Sequence, residues 1–247
     1  GAQASWRGDL AGVIDWRANE IERLGADIRT NIFAEPEDVL AQNPDIVIIA
    51  TGGIPDLEWL DGVEHATSAW DFLTGSGPVG GSVLVYDGTG RHPALQCAEH
   101  AAISGAETRF VSIDGEMAAE LTYAERAIWK QRIYELEVEM TFDHRLARIE
   151  KSGNRLTATF VNEATGRTNT RTVDQIVVEH GTIPADDLYH ALRAHSGNDG
   201  VTDLEALLSN SRQLSKDAFE LHRIGDAVTS RNIAAAVYDA LRLCHVM

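Results

Sequence analysis

Apolar residues along this chain gather into short continuous runs, separated by stretches with helical spacing and by glycine-rich breaks. The longest purely aliphatic run is Ile46–Ala50, and Ser82–Tyr86 (SVLVY) is a second. Continuous runs of this length, rich in branched residues, predict strands buried on both faces, as in a parallel sheet. One of these runs belongs to a phrase that occurs twice. DIVIIATGGIP covers residues 45–55, and DQIVVEHGTIP covers residues 174–184. Both begin with Asp, pass through an aliphatic strand, reach Gly at the same offset (Gly52, Gly181) and end Ile-Pro. A buried strand that ends in Gly and a breaker marks a place where the chain leaves a sheet at its carboxyl edge. In open α/β folds, ligands bind along that edge. Taken alone, the repeat is equally compatible with any α/β protein.

The remaining pattern fills in the elements. Gly1–Arg7 reads as loop. Asp9 is placed to cap a helix carrying Leu10, Val13, Ile14, Ile21 and Leu24, which stops at Gly25. Alternation of Ile28, Thr30 and Ile32 predicts a strand over 27–33, and Pro36 opens a short helix to Gln42. Residues 55–81, with Pro and several Gly, read as a connector. Next come a strand at 82–86, a glycine turn at 87–90, a helix over about 94–104 and a strand at 108–113. This is the start of a right-handed βαβ unit. A helical region follows over 116–136, with Ala124, Ala127, Ile128 and Leu136 inward, and then a strand at 138–142. Residues 155–162 and 168–172 alternate as an antiparallel hairpin. After the second phrase, the pattern predicts helices at 187–195 and 204–208, a strand at 219–224 and a final helix at about 232–243.

The predicted fold class is therefore α/β, with two Rossmann-like FAD/NAD(P)-binding-type domains, one inserted in the other, and an antiparallel hairpin. The outer, split domain covers 1–80 and 181–247. The inserted NAD(P)-binding-type domain covers 81–180. The chain starts without Met and enters a helix almost at once, so it reads as a fragment of a longer protein.

Composition narrows the function. The formal net charge is −17, from 21 Lys+Arg against 38 Asp+Glu. That argues against a nucleic-acid partner, whose phosphates need Lys and Arg. No apolar run reaches the length of a membrane span. The two cysteines, Cys97 and Cys244, have no metal or redox spacing, and the nine histidines form no ligand motif. A cytoplasmic protein with free thiols, no metal site and no membrane partner fits these features, and a homo-oligomer is compatible with them.

IVIIATGG (46–53), SVLVYDGTG (82–90) and HRIGDA…NIAAAVYDA (222–240) follow the order seen in flavoproteins with two dinucleotide-binding domains. More narrowly, residues 9–25, 173–192 and 223–244 resemble the carboxyl-terminal part of the long relatives of old yellow enzyme. That group includes trimethylamine dehydrogenase, 2,4-dienoyl-CoA reductase and the N-methyl-amino-acid demethylase-like NADH:flavin oxidoreductases. The resemblance implies a longer protein, with an amino-terminal barrel carrying FMN and then cysteines for a 4Fe–4S cluster. Behind these would come this split FAD- or ADP-binding domain with its NAD(P)-type insert. The partners it implies are the chain's own barrel and a nucleotide cofactor, FAD or ADP, with NAD(P)H an option for the insert. The barrel, the cluster cysteines and the first βαβ of the FAD-type domain are not in this sequence.

The site residues follow from the two readings together. Gly225 and Asp226, just before a helix, offer close backbone approach and a hydroxyl acceptor. By resemblance they lie near the ribityl and pyrophosphate groups; the plain alternative is a helix cap. Thr51, Gly52 and Gly53 would line the same ligand, or be an ordinary strand exit. Gly88 and Gly90 supply two glycines of a dinucleotide fingerprint, with Pro93 where the third belongs. Arg91 could meet a phosphate or solvent. Ser112 stands where an acidic ribose partner is expected. Glu179 and His180 replace the Ala-Thr of the first phrase and suggest an interdomain ion pair or hydrogen bond. The five tryptophans read as packing, and the acid-rich stretch 116–139 as a solvated face. No residue is assigned as catalytic. The function expected is that of a flavin oxidoreductase's carboxyl-terminal part, positioning FAD or ADP, and NAD(P)H, for electron transfer toward the FMN centre, and inactive alone. The alternative is a non-redox structural or ADP-binding module with a degraded dinucleotide site.

Overall fold

The structure is a computed structural model that describes residues 8–75, 77–209, 211 and 218–245. The loop expected at Gly1–Arg7, with Trp6, lies outside the described residues. In chain order the first elements are α1 (Leu10–Arg23), α2 (Pro36–Leu40), β1 (Ile46–Ile49), β2 (Gly53–Pro55), β3 (Thr67–Ser68) and α3 (Ala69–Leu73). There follow β4 (Ser82–Asp87), α4 (His92–Ile103), β5 (Glu107–Ser112), α5 (Tyr123–Glu135), β6 (Glu139–Thr141) and β7 (His144–Ser152). Then come β8 (Arg155–Asn162), β9 (Thr168–Val173), β10 (Gln175–Glu179) and β11 (Thr182–Pro184). The chain closes with α6 (Asp187–Leu192), α7 (Leu204–Ser209), β12 (Glu220–Arg223) and α8 (Ile233–Cys244). The fold is α/β. The chain divides into two compact units: residues 1–27 with 55–181, and residues 28–54 with 182–247.

The first unit is built on a parallel five-stranded sheet of order β3-β10-β4-β5-β6. Every residue of β4 is buried, which is why its sequence is apolar without alternation. On one face, Val83, Val85, Phe110 and Val177 pack against Phe72 of α3, Leu95 of α4, and Trp129 and Ile133 of α5. On the other, Leu84, Tyr86, Ile176 and Val178 pack against Leu146, Ile149 and Phe160. These last belong to a three-stranded antiparallel sheet, β7-β8-β9. The hairpin expected at 155–172 thus has a third strand. Its pattern was illegible because the register shifts between Leu146 and Arg148, breaking the alternation.

Three expectations are corrected. Residues 55–81 are not a mere connector: β3 extends the parallel sheet beside β10, and Ala69 and Phe72 of α3 enter the core. The helix expected from 116 begins only at Tyr123, where Thr122 accepts the N–H of Glu125, and Ala118 before it has a left-handed backbone. Its buried side chains are Trp129 and Ile133, while Ile128 is exposed. The large indole sets the helix's rotation about its own axis. Finally, 27–33 is not a strand. Asn31 is left-handed (φ 59°), which breaks an extended run, and Ile28 and Ile32 are exposed.

The second unit holds the parallel pair β1–β12, with Ile46 opposite Glu220 and Ile49 opposite Arg223. Val47, Ile49 and Leu221 form its core with Tyr189, Leu192, Phe219 and Ala227. The segment after the second phrase therefore returns to pair with the strand of the first. Asn232 caps α8 by accepting the N–H of Ala235. No such cap is seen at Asp9, whose backbone is already helical and whose side chain caps nothing. Both Cys97 and Cys244 are free thiols. Among the described residues, no helix is long and apolar enough to cross a membrane.

Candidate functional site

The nine candidate cofactor contacts of the sequence fall into two groups, one at the carboxyl edge of each parallel sheet. In the second unit, β1 and β12 lie side by side and leave the sheet together. The N–H of Ile224 donates to the carbonyl of Ile49 at 3.0 Å, so Thr51, Gly52 and Gly53 emerge beside Gly225 and Asp226. Thr51 donates its hydroxyl to the Ala185 carbonyl at 2.5 Å. Gly52 is left-handed (φ 75°), with open space where a side chain would stand. Gly53 is hemmed in: a Cβ there would lie 2.6 Å from the carbonyl of Ile183.

Gly225 is also left-handed and packs against Ala236 of α8. Its N–H goes to Asp239 at 3.1 Å, and Asp239 is ion-paired with Arg231. The backbone N–H of Arg231 donates to one carboxylate oxygen of Asp226 at 3.1 Å. Asp226 therefore organises the loop before α8 rather than capping the helix, which Asn232 does, and it uses one oxygen of two for that bond. Arg231 and Asp239, not singled out in the sequence, complete this loop. The ion pair holds the Asp239 carboxyl below and the Arg231 guanidinium above their ordinary ranges. The signal available was only the spacing of a cation before the helix and an acid on its second turn.

Two buried polar atoms of this unit lack a partner among the described residues: the hydroxyl of Thr182 and Nε of Arg231. Open space at Gly52 and the second carboxylate oxygen of Asp226 fit a ligand bearing hydroxyls. The residues present thus suit the ribose part of FAD or ADP.

The first unit holds Gly88, Gly90, Arg91 and Ser112. At its carboxyl edge three polar residues stand in one row: Glu179 opposite Asp87, and Asp87 opposite Ser112. All three are buried, Asp87 completely. One carboxylate oxygen of Asp87 accepts the N–H groups of Thr89 at 3.1 Å and Gly90 at 2.9 Å. The other is buried without a partner among the described residues. Burial pushes Asp87 up to about 6, with the nearby Asp114 charge adding to it. Burial likewise pushes Glu179 up to about 7, reinforced by Asp87 and opposed by the Gly181 N–H and by Arg91. Ser112 is spent on the turn after β5, where its hydroxyl accepts the N–H of Asp114. Arg91 sits half-buried at the start of α4.

Gly88 is bare because His180 lies against it. An added Cβ would sit 2.6 Å from the imidazole. His180 is placed by Asp56 at 3.1 Å and by Trp59, whose ring centre is 4.4 Å away. Glu179 accepts the N–H of Gly181. The contacts expected of Glu179 and His180 between domains are thus made inside the first unit. Trp59 packs on His180 as a structural ring, and Trp129 is fully buried with its N–H on His92.

The comparisons with known proteins agree with this architecture. No family model matches the chain. It is 43% identical over 249 residues to the multifunctional alkene reductase/demethylase OYE of Caballeronia cordobensis, covering 98% of this chain and 37% of that protein. It is 41% identical over 247 residues to the probable N-methylproline demethylase of Rhizobium meliloti (strain 1021), covering 98% of this chain and 36% of the relative. The chain thus spans about a third of the length of the curated relatives it matches. Among solved structures, 2-naphthoyl-CoA reductase in complex with 2-naphthoyl-CoA shares the fold, with a TM-score of 0.79 at 22% identity. The match covers 98% of this chain and 33% of that one. The chain belongs to the long old yellow enzyme-like NADH:flavin oxidoreductases, as their carboxyl-terminal nucleotide-binding part.

Proposed function

We propose that the second unit holds FAD or ADP along the carboxyl edge of β1 and β12, and so serves a flavin-dependent oxidoreductase. The observation that carries this reading is the adjacency of the two exits through the Ile224–Ile49 bond. It brings Gly52 and Asp226 to one edge, the position at which α/β sheets bind ligands. In this reading Asp226 accepts a hydroxyl of the ligand with the oxygen not engaged by Arg231. Gly52 lets the ligand approach the backbone closely. The Arg231–Asp239 pair holds the loop in place. A bound flavin would supply the redox chemistry; the protein supplies binding and orientation. In the whole protein this site would face electron transfer toward an FMN centre in an amino-terminal barrel, with a 4Fe–4S cluster in the same missing part. Cytoplasmic location belongs to the same proposal. Nothing in it assigns NAD(P)H to the first unit.

Nucleotide released from purified full-length protein by heat and identified by chromatography tests the reading. FAD or ADP in stoichiometric amount is expected. Protein that neither carries nor takes up an adenine nucleotide would overturn it.

A further inference from the structure

We propose that Asp87 fills, with its own carboxylate, the place a dinucleotide phosphate would take in the first unit. That unit then keeps a nucleotide fold without a dinucleotide site. Dinucleotide folds hold a phosphate on the N–H groups of the turn that joins the first strand to its helix. Here that turn is 87–91, between β4 and α4. Its Thr89 and Gly90 N–H groups point at one oxygen of Asp87, at 3.1 and 2.9 Å, as they would at a phosphate oxygen. The N–H of Gly88 is taken by the Glu179 carbonyl at 2.8 Å. Pro93 brings no N–H to the first turn of the helix.

The approach is closed as well as the donors. The imidazole of His180 lies against Gly88, and Asp114 and Ala119 lie against Gly90. These are the two bare positions that would let a pyrophosphate reach the backbone. Charge opposes it too. Asp87 and Asp114 present carboxyls at the turn where a dianion would have to sit, against Arg91 as the cation of the turn. The inference concerns the first unit alone and does not depend on what the second unit holds.

Hydrogen–deuterium exchange of segment 86–95 in the full-length protein, with and without millimolar NADH or NADPH, tests it. The wild-type segment is expected to show no protection. Asp87→Gly and Asp87→Ala remove the internal acceptor and should speed exchange of the Thr89 and Gly90 amides at least tenfold, with or without nucleotide. Asp87→Asn keeps an oxygen for both N–H groups and should behave as wild type. Protection of the wild-type segment overturns the proposal whether or not the variants fold, and its lack supports it. Folded Gly or Ala variants whose Thr89 and Gly90 amides exchange as slowly as wild type overturn it, as does nucleotide-dependent protection in Asp87→Asn. Exchange over 224–232 is read separately, so failure of the adenine-nucleotide reading there leaves this result untouched.

Discussion

Glu179 and Asp87 are direct neighbours across the parallel ladder of β10 and β4, and both are buried, at 6% and 0% exposure. Two adjacent carboxyls out of water are costly to ionise. Both therefore bind protons more tightly in the folded protein than in the unfolded chain, Asp87 near 6 against 3.8 and Glu179 near 7 against 4.5. Their contribution is complete at acid pH, below the unfolded values. It declines as pH rises through the folded ones, by on the order of 3 kcal/mol for each group.

Comparison of wild type with Glu179→Gln isolates that effect. The variant should gain stability relative to wild type as pH rises from about 5 to about 8, read from urea midpoints. A difference that stays flat over this window would show that Glu179 is ionised without penalty.

Two left-handed glycines should respond differently to alanine. A Cβ on Gly62 (φ 81°) would stand 1.9 Å from the carbonyl of Ile149, whereas one on Gly105 (φ 87°) meets nothing within 4 Å. Gly62→Ala must displace β7 and should cost about 3 kcal/mol or more, while Gly105→Ala costs only the backbone strain of about 1 kcal/mol. Thermal or urea unfolding of the pair checks this; equal losses would refute the packing described for Gly62.

Trp129 is fully buried between α4 and α5, with its N–H 2.9 Å from the His92 imidazole. Trp129→Ala should destabilise the first unit by about 3–5 kcal/mol. Trp129→Phe should recover most of the loss, because the packing outweighs one hydrogen bond. Unfolding free energies of the two variants decide which contribution is larger.

Much of this fold was legible because parallel strands buried on both faces leave continuous apolar runs, as in Ile46–Ile49 and Ser82–Tyr86. Elements governed by tertiary contact were not. β7 was hidden by its bulge, α5 was rotated by Trp129, and the alternation at Ile28–Ile32 is cancelled by one left-handed Asn31. The site was legible by residue type only. Glycines at 88 and 90 drew attention to the turn, yet Asp87 just before them uses its donors. That role exists only once the turn has folded around the carboxylate. Arg231 and Asp239 were likewise invisible until the loop before α8 brought them together.

The most direct test of the central claim is the adenine-nucleotide content of full-length protein carrying Asp226→Ala, set against wild type. The account predicts stoichiometric FAD or ADP in the wild type and an affinity about tenfold weaker in the variant, the loss of roughly one hydrogen bond to a charged group. The same nucleotide content and affinity in both proteins would contradict it.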